Sequence, residues 1–285
     1  MPGWSCNAAE MLPLADLPTE VCRNLIGVFT DIDDTLTTEG AITDDALEAL
    51  AQLKEKGLHV IPITGRPVGW SEPFALEWPV DAIVAENGAV ALLKSQISSK
   101  NTCMSASTGH SLLSKLYQQD AAIRASNFQK MQQVAQRVLR EVPGSMLAQD
   151  SPGRETDIAI DHSEFTHLPP EKIAQALQIM QAEGMNATVS SIHINAWFGS
   201  HNKLTGARWI VRALLQRNLD AELGHWLYVG DSTNDQVMFE AFPHSVGVAN
   251  IARFLPELKT KPRYVTQGAR GAGFAQVAAM ICAAT

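Results

Sequence analysis

No apolar run in this chain approaches the roughly 20 residues an α-helix needs to cross a bilayer, so no membrane-spanning helix is expected. Cysteine is scarce: Cys6, Cys22, Cys103 and Cys282 are widely separated and form no C-x-x-C pair. That spacing argues against a zinc ribbon and against the dense disulfide framework of small secreted domains, and the four are read as free thiols in a reducing compartment. Positive charge is in deficit, with 22 Lys and Arg against 30 Asp and Glu and a formal net charge of -8. A broad basic face for capturing nucleic acid is therefore not expected, while a local cationic pocket stays open. The stretch MPGWSCNAAEMLPLADLP has no basic segment leading into an apolar core, so it makes a poor signal peptide, and a cytoplasmic location is the expectation. The chain has no internal repeat and no long low-complexity tract.

The 285 residues are 46% hydrophobic, enough for one large or two modest domains, and two are expected. Residues 25–30, LIGVFT, form an apolar run that stops at an acidic cluster, as a buried parallel strand does at a sheet edge. Thr43 is placed to cap a helix with Asp44 and Asp45 in its first turn, Leu47, Leu50 and Leu53 on its apolar face, and Gly57 as its stop. Strands are expected over 58–63 and 82–85. This order predicts right-handed βαβ crossovers and a doubly wound parallel sheet with its ligands at the carboxyl ends of the strands. The middle differs: a polar stretch over 95–107, a helix near 127–141, an alternating strand over 156–161, a helix over 170–183 and a further segment over 188–196 read as a separate α+β insertion. An amphipathic helix over 204–217, strands over 226–229 and 245–249, and a helix over 274–283 resume the α/β pattern.

Four constellations carry chemistry, three at strand ends and one at a helix start. In FTDIDDTLT, Asp31 and Asp33 lie two apart, so an extended backbone aims both carboxylates one way and the pair calls for a cation such as Mg²⁺. In VIPITGRP, Thr64 and Gly65 offer a hydroxyl and an unhindered N–H to an anion. Lys203 stands at the start of the amphipathic helix, where ammonium and helix N-terminus could face the same anion. In YVGDSTNDQ, Asp231, Asn234 and Asp235 follow another apolar strand. Each piece alone is more readily an acidic turn, a strand-ending turn, a solvated lysine or a polar loop. No EF-hand fits either acidic cluster.

Together DIDDT, ITG, Lys203 and GDSTND resemble, in order, the signatures of the haloacid dehalogenase superfamily of phosphohydrolases. AENGAV and RGAGFAQVA are similar to the subfamily containing the Cof-type and the sucrose- and trehalose-phosphate phosphatases. The resemblance implies a Rossmann-like core over 1–86 and 199–285 and an inserted C2-type α+β cap over 87–198. It implies Asp31 as nucleophile and Asp33 as acid and then base, with Mg²⁺ at the Asp31 carboxylate, the Asp33 carbonyl and Asp231. Asp235 would act through a water or orient Lys203, and Thr64, Gly65, Lys203 and Asn234 would surround the phosphoryl oxygens. Asp34 stands where many relatives have glycine or asparagine, and the presence of Asp33 argues against dehalogenation. The expected substrate is a small phosphorylated metabolite, with Glu86, Asn87, Arg154, His193 and Asn195 as candidates at the cap edge. The same residues would serve a phosphosugar mutase or a silent phosphometabolite-binding protein. Glycines at 88 and 199 suggest hinges. The oligomeric state is left open.

Overall fold

The computed structural model describes residues 11–94 and 113–284. Cys6, Cys103, Trp4 and the polar stretch over 95–107 lie outside them. Six strands form a parallel sheet in the order Leu12–Pro13, Tyr264–Val265, His244–Gly247, Trp226–Gly230, Gly27–Thr30, His59–Pro62. The central strands are buried on both faces, and their side chains alternate between two cores with the strand period of two. Val28, Val60, Leu227 and Val229 point to one core with Phe274 and Leu50; Phe29, Ile61, Trp226 and Tyr228 point to the other with Ile210 and Phe242. Helices Asp44–Glu55 and Arg270–Ala283 cover the first face, Lys203–Leu215 and Gln236–Ala241 the second.

The helix expected after Thr43 forms, but Thr43 does not cap it. The Thr43 Oγ is buried without a partner. A Cβ on Gly271 of the closing helix would lie 2.4 Å from that oxygen, so tight packing between the two elements holds the hydroxyl there.

The core extends past residue 87. Ile83–Ala85, Val90–Lys94 and Leu113–Tyr117 make an antiparallel sheet joined to the parallel one by a bridge from Ile63 to Val84. Val90, Leu92 and Ala91 are buried in the two core clusters. Residues 90–94 and 113–117, assigned to the insertion from sequence alone, thus pack with the core because their apolar side chains complete its sheet.

Beyond them, helices Ala121–Glu141 and Pro170–Ala182 pack on an antiparallel sheet in the order Asn186–Val189, His193–Trp197, Ile158–Asp161, Met146–Leu147. Its core, with Met131, Val138, Ile160, Met180 and Ile194, is separate from the other two. The expected single segment over 188–196 is a hairpin turning at residues 190–192. Among the described residues no helix is long and apolar enough to cross a membrane.

Candidate active site

Three neighbouring strands end at one place. Gly27–Thr30 delivers Asp31, Trp226–Gly230 delivers Asp231, and His59–Pro62 leads to Thr64, all at the carboxyl edge of the sheet. Lys203 opens the helix Lys203–Leu215, whose start is fixed by a capping box between Asn202 and Thr205. Its Nζ lies 2.6 Å from Asp31 Oδ1 and 2.6 Å from Asp235 Oδ1. Both oxygens of Asp235 are occupied: Lys203 and the Tyr228 hydroxyl donate to Oδ1, and the N–H groups of Asp231 and Ser232 donate to Oδ2. Asp235 thereby fixes the lysine and the 231–232 turn together.

Asp31, Asp231 and Asp235 each place a carboxylate oxygen within 4.8 Å of the others, and all three are buried. Burial is the largest influence on Asp31 and lifts its carboxyl to about 8, with Asp235 and Asp33 adding to it and Lys203 opposing. Asp231 is pushed well above the ordinary range by burial, then by Asp31 and Asp235. Its Oδ2 accepts from Asn250 and Arg253, whereas Oδ1 is buried with no partner. An unpartnered carboxylate oxygen among like charges fits a hard divalent cation such as Mg²⁺.

Asp33 sits beside Asp31 with its carboxylate held by Arg66 Nε at 2.8 Å. Asp34 takes a left-handed backbone, φ 56°, and both of its carboxylate oxygens are ion-paired, to Arg253 at 2.6 Å and Arg270 at 3.0 Å. The Thr64 hydroxyl accepts from the Arg66 N–H at 2.9 Å, and Asn234 Oδ1 accepts from the Ser232 hydroxyl.

The five cap-edge candidates also gather near Thr64 and Gly65, but each is already committed to other groups of the protein. Glu86, φ 49°, accepts from the Val68 and Glu155 N–H groups at one oxygen and from the Thr156 N–H and hydroxyl at the other. Arg154 donates to Asp150, Asp157 and the Gly65 carbonyl and meets His193 Nδ1 at 3.5 Å. His193 Nε2 pairs with Glu164 at 2.8 Å. Asn195 donates to Gly65 O and Asp157, and Asn87 to Asp157. The face of the His193–Trp197 strand that alternation marks as polar is therefore buried in an ion-paired seam between cap and core, not solvated.

Arg66 is the main residue that sequence reasoning left without a role. It stands directly after Thr64 and Gly65, is 4% exposed, and joins Asp33 to the cap carboxylates Asp150 and Glu164 while stacking over Trp70. Its position in TGR was the available signal. Tyr228 stands in YVGDSTNDQ seven residues before its partner Asp235 and was passed over, whereas nothing local marked Asn250 or Asp157, whose partners include residues distant in sequence.

Comparison with known proteins agrees with this geometry. A sequence profile described as haloacid dehalogenase-like hydrolase matches residues 28–277. A Streptococcus pyogenes protein provisionally named a phosphatase is 22% identical over 275 residues, 87% of this chain and 95% of that protein. The C-terminal domain of trehalose-6-phosphate phosphatase from C. albicans superposes with a TM-score of 0.66 at 15% identity, over 97% of this chain and 99% of that one. The sucrose-phosphatase of Synechocystis, solved with sucrose and phosphate, gives 0.60 at 16% identity over 90% and 97%. With its profile match running through nearly the whole core and cap, this chain belongs to the haloacid dehalogenase-like hydrolases.

Proposed function

We propose that this chain is a Mg²⁺-dependent phosphatase of sugar phosphates or similar small monoesters, acting through an aspartyl-phosphate on Asp31. The observation that carries the reading is the Lys203 ammonium shared at 2.6 Å by Asp31 and Asp235, next to the unpartnered oxygen of Asp231. Asp31, Asp231 and the Asp33 carbonyl would hold the cation, which when bound would supply positive charge to offset that of the phosphoryl group.

Asp31 attacks phosphorus in line, and the bond to the leaving oxygen breaks as Asp33 gives that oxygen a proton. Asp33 then takes a proton from the water that attacks the aspartyl-phosphate, releasing inorganic phosphate and restoring Asp31. Thr64, the Gly65 N–H, Lys203 and Asn234 offset charge on the equatorial oxygens, where it gathers in the transition state. Arg66 and the Trp70 ring beneath it hold Asp33 in place.

The test is phosphate release from a panel of phosphorylated metabolites with and without Mg²⁺, for the parent and Asp31→Asn. Metal-dependent release by the parent, lowered about 10³-fold or more by the substitution, is expected. Equal release by both proteins would remove Asp31 as nucleophile.

A further inference from the structure

Asp231, Arg253, Asp34, Arg270 and Asn250 close a ring of polar contacts beside the buried carboxylate cluster. Asp231 Oδ2 accepts from an Arg253 guanidinium N–H at 3.3 Å and from the Asn250 amide at 2.9 Å. The same Arg253 nitrogen donates to Asp34 Oδ2 at 2.6 Å, the other Asp34 oxygen meets Arg270 Nε at 3.0 Å, and the Arg270 N–H donates to Asn250 Oδ1 at 2.9 Å. The Asn250 amide braces the ring by donating to the Asp34 carbonyl at 3.0 Å. Apart from Asp231, its members come from the loop after the strand Gly27–Thr30, the turn Ala249–Phe254 and the start of the helix Arg270–Ala283. Asp34 and Arg270 both take left-handed backbone, φ 56° and 55°, a costly conformation for any residue but glycine, so the ring is built against local preference.

The ring acts on Asp231 in two ways. Both of its bonds go to Oδ2 and leave Oδ1 without a partner. It also sets charge beside the cluster, because Arg253 bridges Asp231 and Asp34 through one nitrogen. The carboxylates of Asp31, Asp231 and Asp235 repel one another when no ion is present, and a guanidinium beside Asp231 relieves that repulsion while opposing a cation. Asp34, on the far side of the same guanidinium, acts with the opposite sign. The Arg253 side chain is 43% exposed, so water screens its charge and the effect is modest.

Resting on the Mg²⁺ site proposed above, we infer that Asp34 and Arg253 set the affinity of that site from outside its ligands: Arg253 weakens Mg²⁺ binding and Asp34 strengthens it, with Asn250 and Arg270 holding the pair in place. The dissociation constant of Mg²⁺ is read from the rise in melting temperature across a Mg²⁺ titration, in about 20 mM and about 0.5 M NaCl, for the parent, Arg253→Met, Arg253→Lys, Asp34→Asn and Asp231→Asn. In low salt Arg253→Met should bind Mg²⁺ about threefold or more tighter than the parent, Asp34→Asn about threefold or more weaker, and Arg253→Lys within about twofold of the parent. High salt should shrink these differences. Asparagine tolerates left-handed backbone, so Asp34→Asn changes the charge with the conformation kept. Weaker binding by Arg253→Met would show the arginine holding Asp231 for the ion instead of opposing it, and overturns the inference. Unchanged affinity in either Arg253→Met or Asp34→Asn, or differences that salt leaves intact, overturns it too. In each of these cases the Mg²⁺ site stands as long as the parent responds to Mg²⁺ and Asp231→Asn does not. A parent with no Mg²⁺ response, or an Asp231→Asn variant that responds fully, overturns the Mg²⁺ site and this inference with it.

Discussion

His201 shows how one side chain sets a pH dependence away from the carboxylate cluster. It is 4% exposed, stacks on Trp197, and has no partner for either ring nitrogen. Burial alone lowers its pKa from 6.5 to about 4. Between those values the unfolded chain holds a proton that the folded chain refuses, so acidification favours unfolding. The contribution is fully present above pH 6.5 and is lost progressively toward pH 4, by at most about 3 kcal/mol. Melting temperatures across that window should fall more steeply for the parent than for His201→Leu; parallel curves would show that this ring does not carry the acid sensitivity. Asp34 is the second residue-scale case. Its left-handed backbone explains why glycine or asparagine is usual there, and its two arginine partners explain how aspartate is held in that conformation.

Among the elements, the contact between the 86–88 turn and the helix Lys203–Leu215 is the tightest point near the site. Gly88 has φ 105°, and a Cβ there would lie 2.3 Å from the Asn202 carbonyl, while one on Gly206 would lie 2.5 Å from Gly88 Cα. Position 88, expected as a hinge, is thus wedged against the helix that presents Lys203. Gly88→Ala should cost about 2 kcal/mol or more in urea unfolding, and Gly224→Ala, with nothing within 4 Å, within about 0.5 kcal/mol. Similar costs for both would mean that the close approach does not matter. Glu86 works at the same scale, joining the helix Val68–Glu77 to the cap loop through four donors. Glu86→Ala strands those buried donors and should destabilise by about 3 kcal/mol, with earlier proteolytic cleavage in residues 150–157. A melting curve superposed on the parent's would refute this.

For the whole molecule, the proposed function predicts that the buried carboxylates couple stability to Mg²⁺. Mg²⁺ at about 100 times its dissociation constant should stabilise the parent by about 2.7 kcal/mol, read as a rise in melting temperature. Asp231→Asn removes a charge that Asp31 and Asp235 repel, so without metal it should melt no lower than the parent and should not respond to Mg²⁺. A full Mg²⁺ response in that variant would place the cation elsewhere. Cap and core also meet through Gly69 and Gly153, where a Cβ on Gly69 would come 2.9 Å from Gly153 Cα. Together with the Arg66 ion pairs to Asp150 and Glu164 and the Arg154 hydrogen bond to the Gly65 carbonyl, that contact holds the cap against the core.

By itself the sequence determined the parallel core, the inserted cap, and the set that meets at the strand ends. Asp31, Asp33, Thr64, Lys203 and Asp231 were legible because each follows an apolar strand or opens a strongly patterned helix, and such local patterns fix which end of an element faces the ligand. Only the tertiary structure decided the rest. Val90 and Leu92 belong to the core because a sheet edge needed covering, a requirement no local window reveals. Glu86, Arg154, His193 and Asn195 are spent on neighbouring protein groups because buried polar atoms must find hydrogen-bond partners where no water reaches.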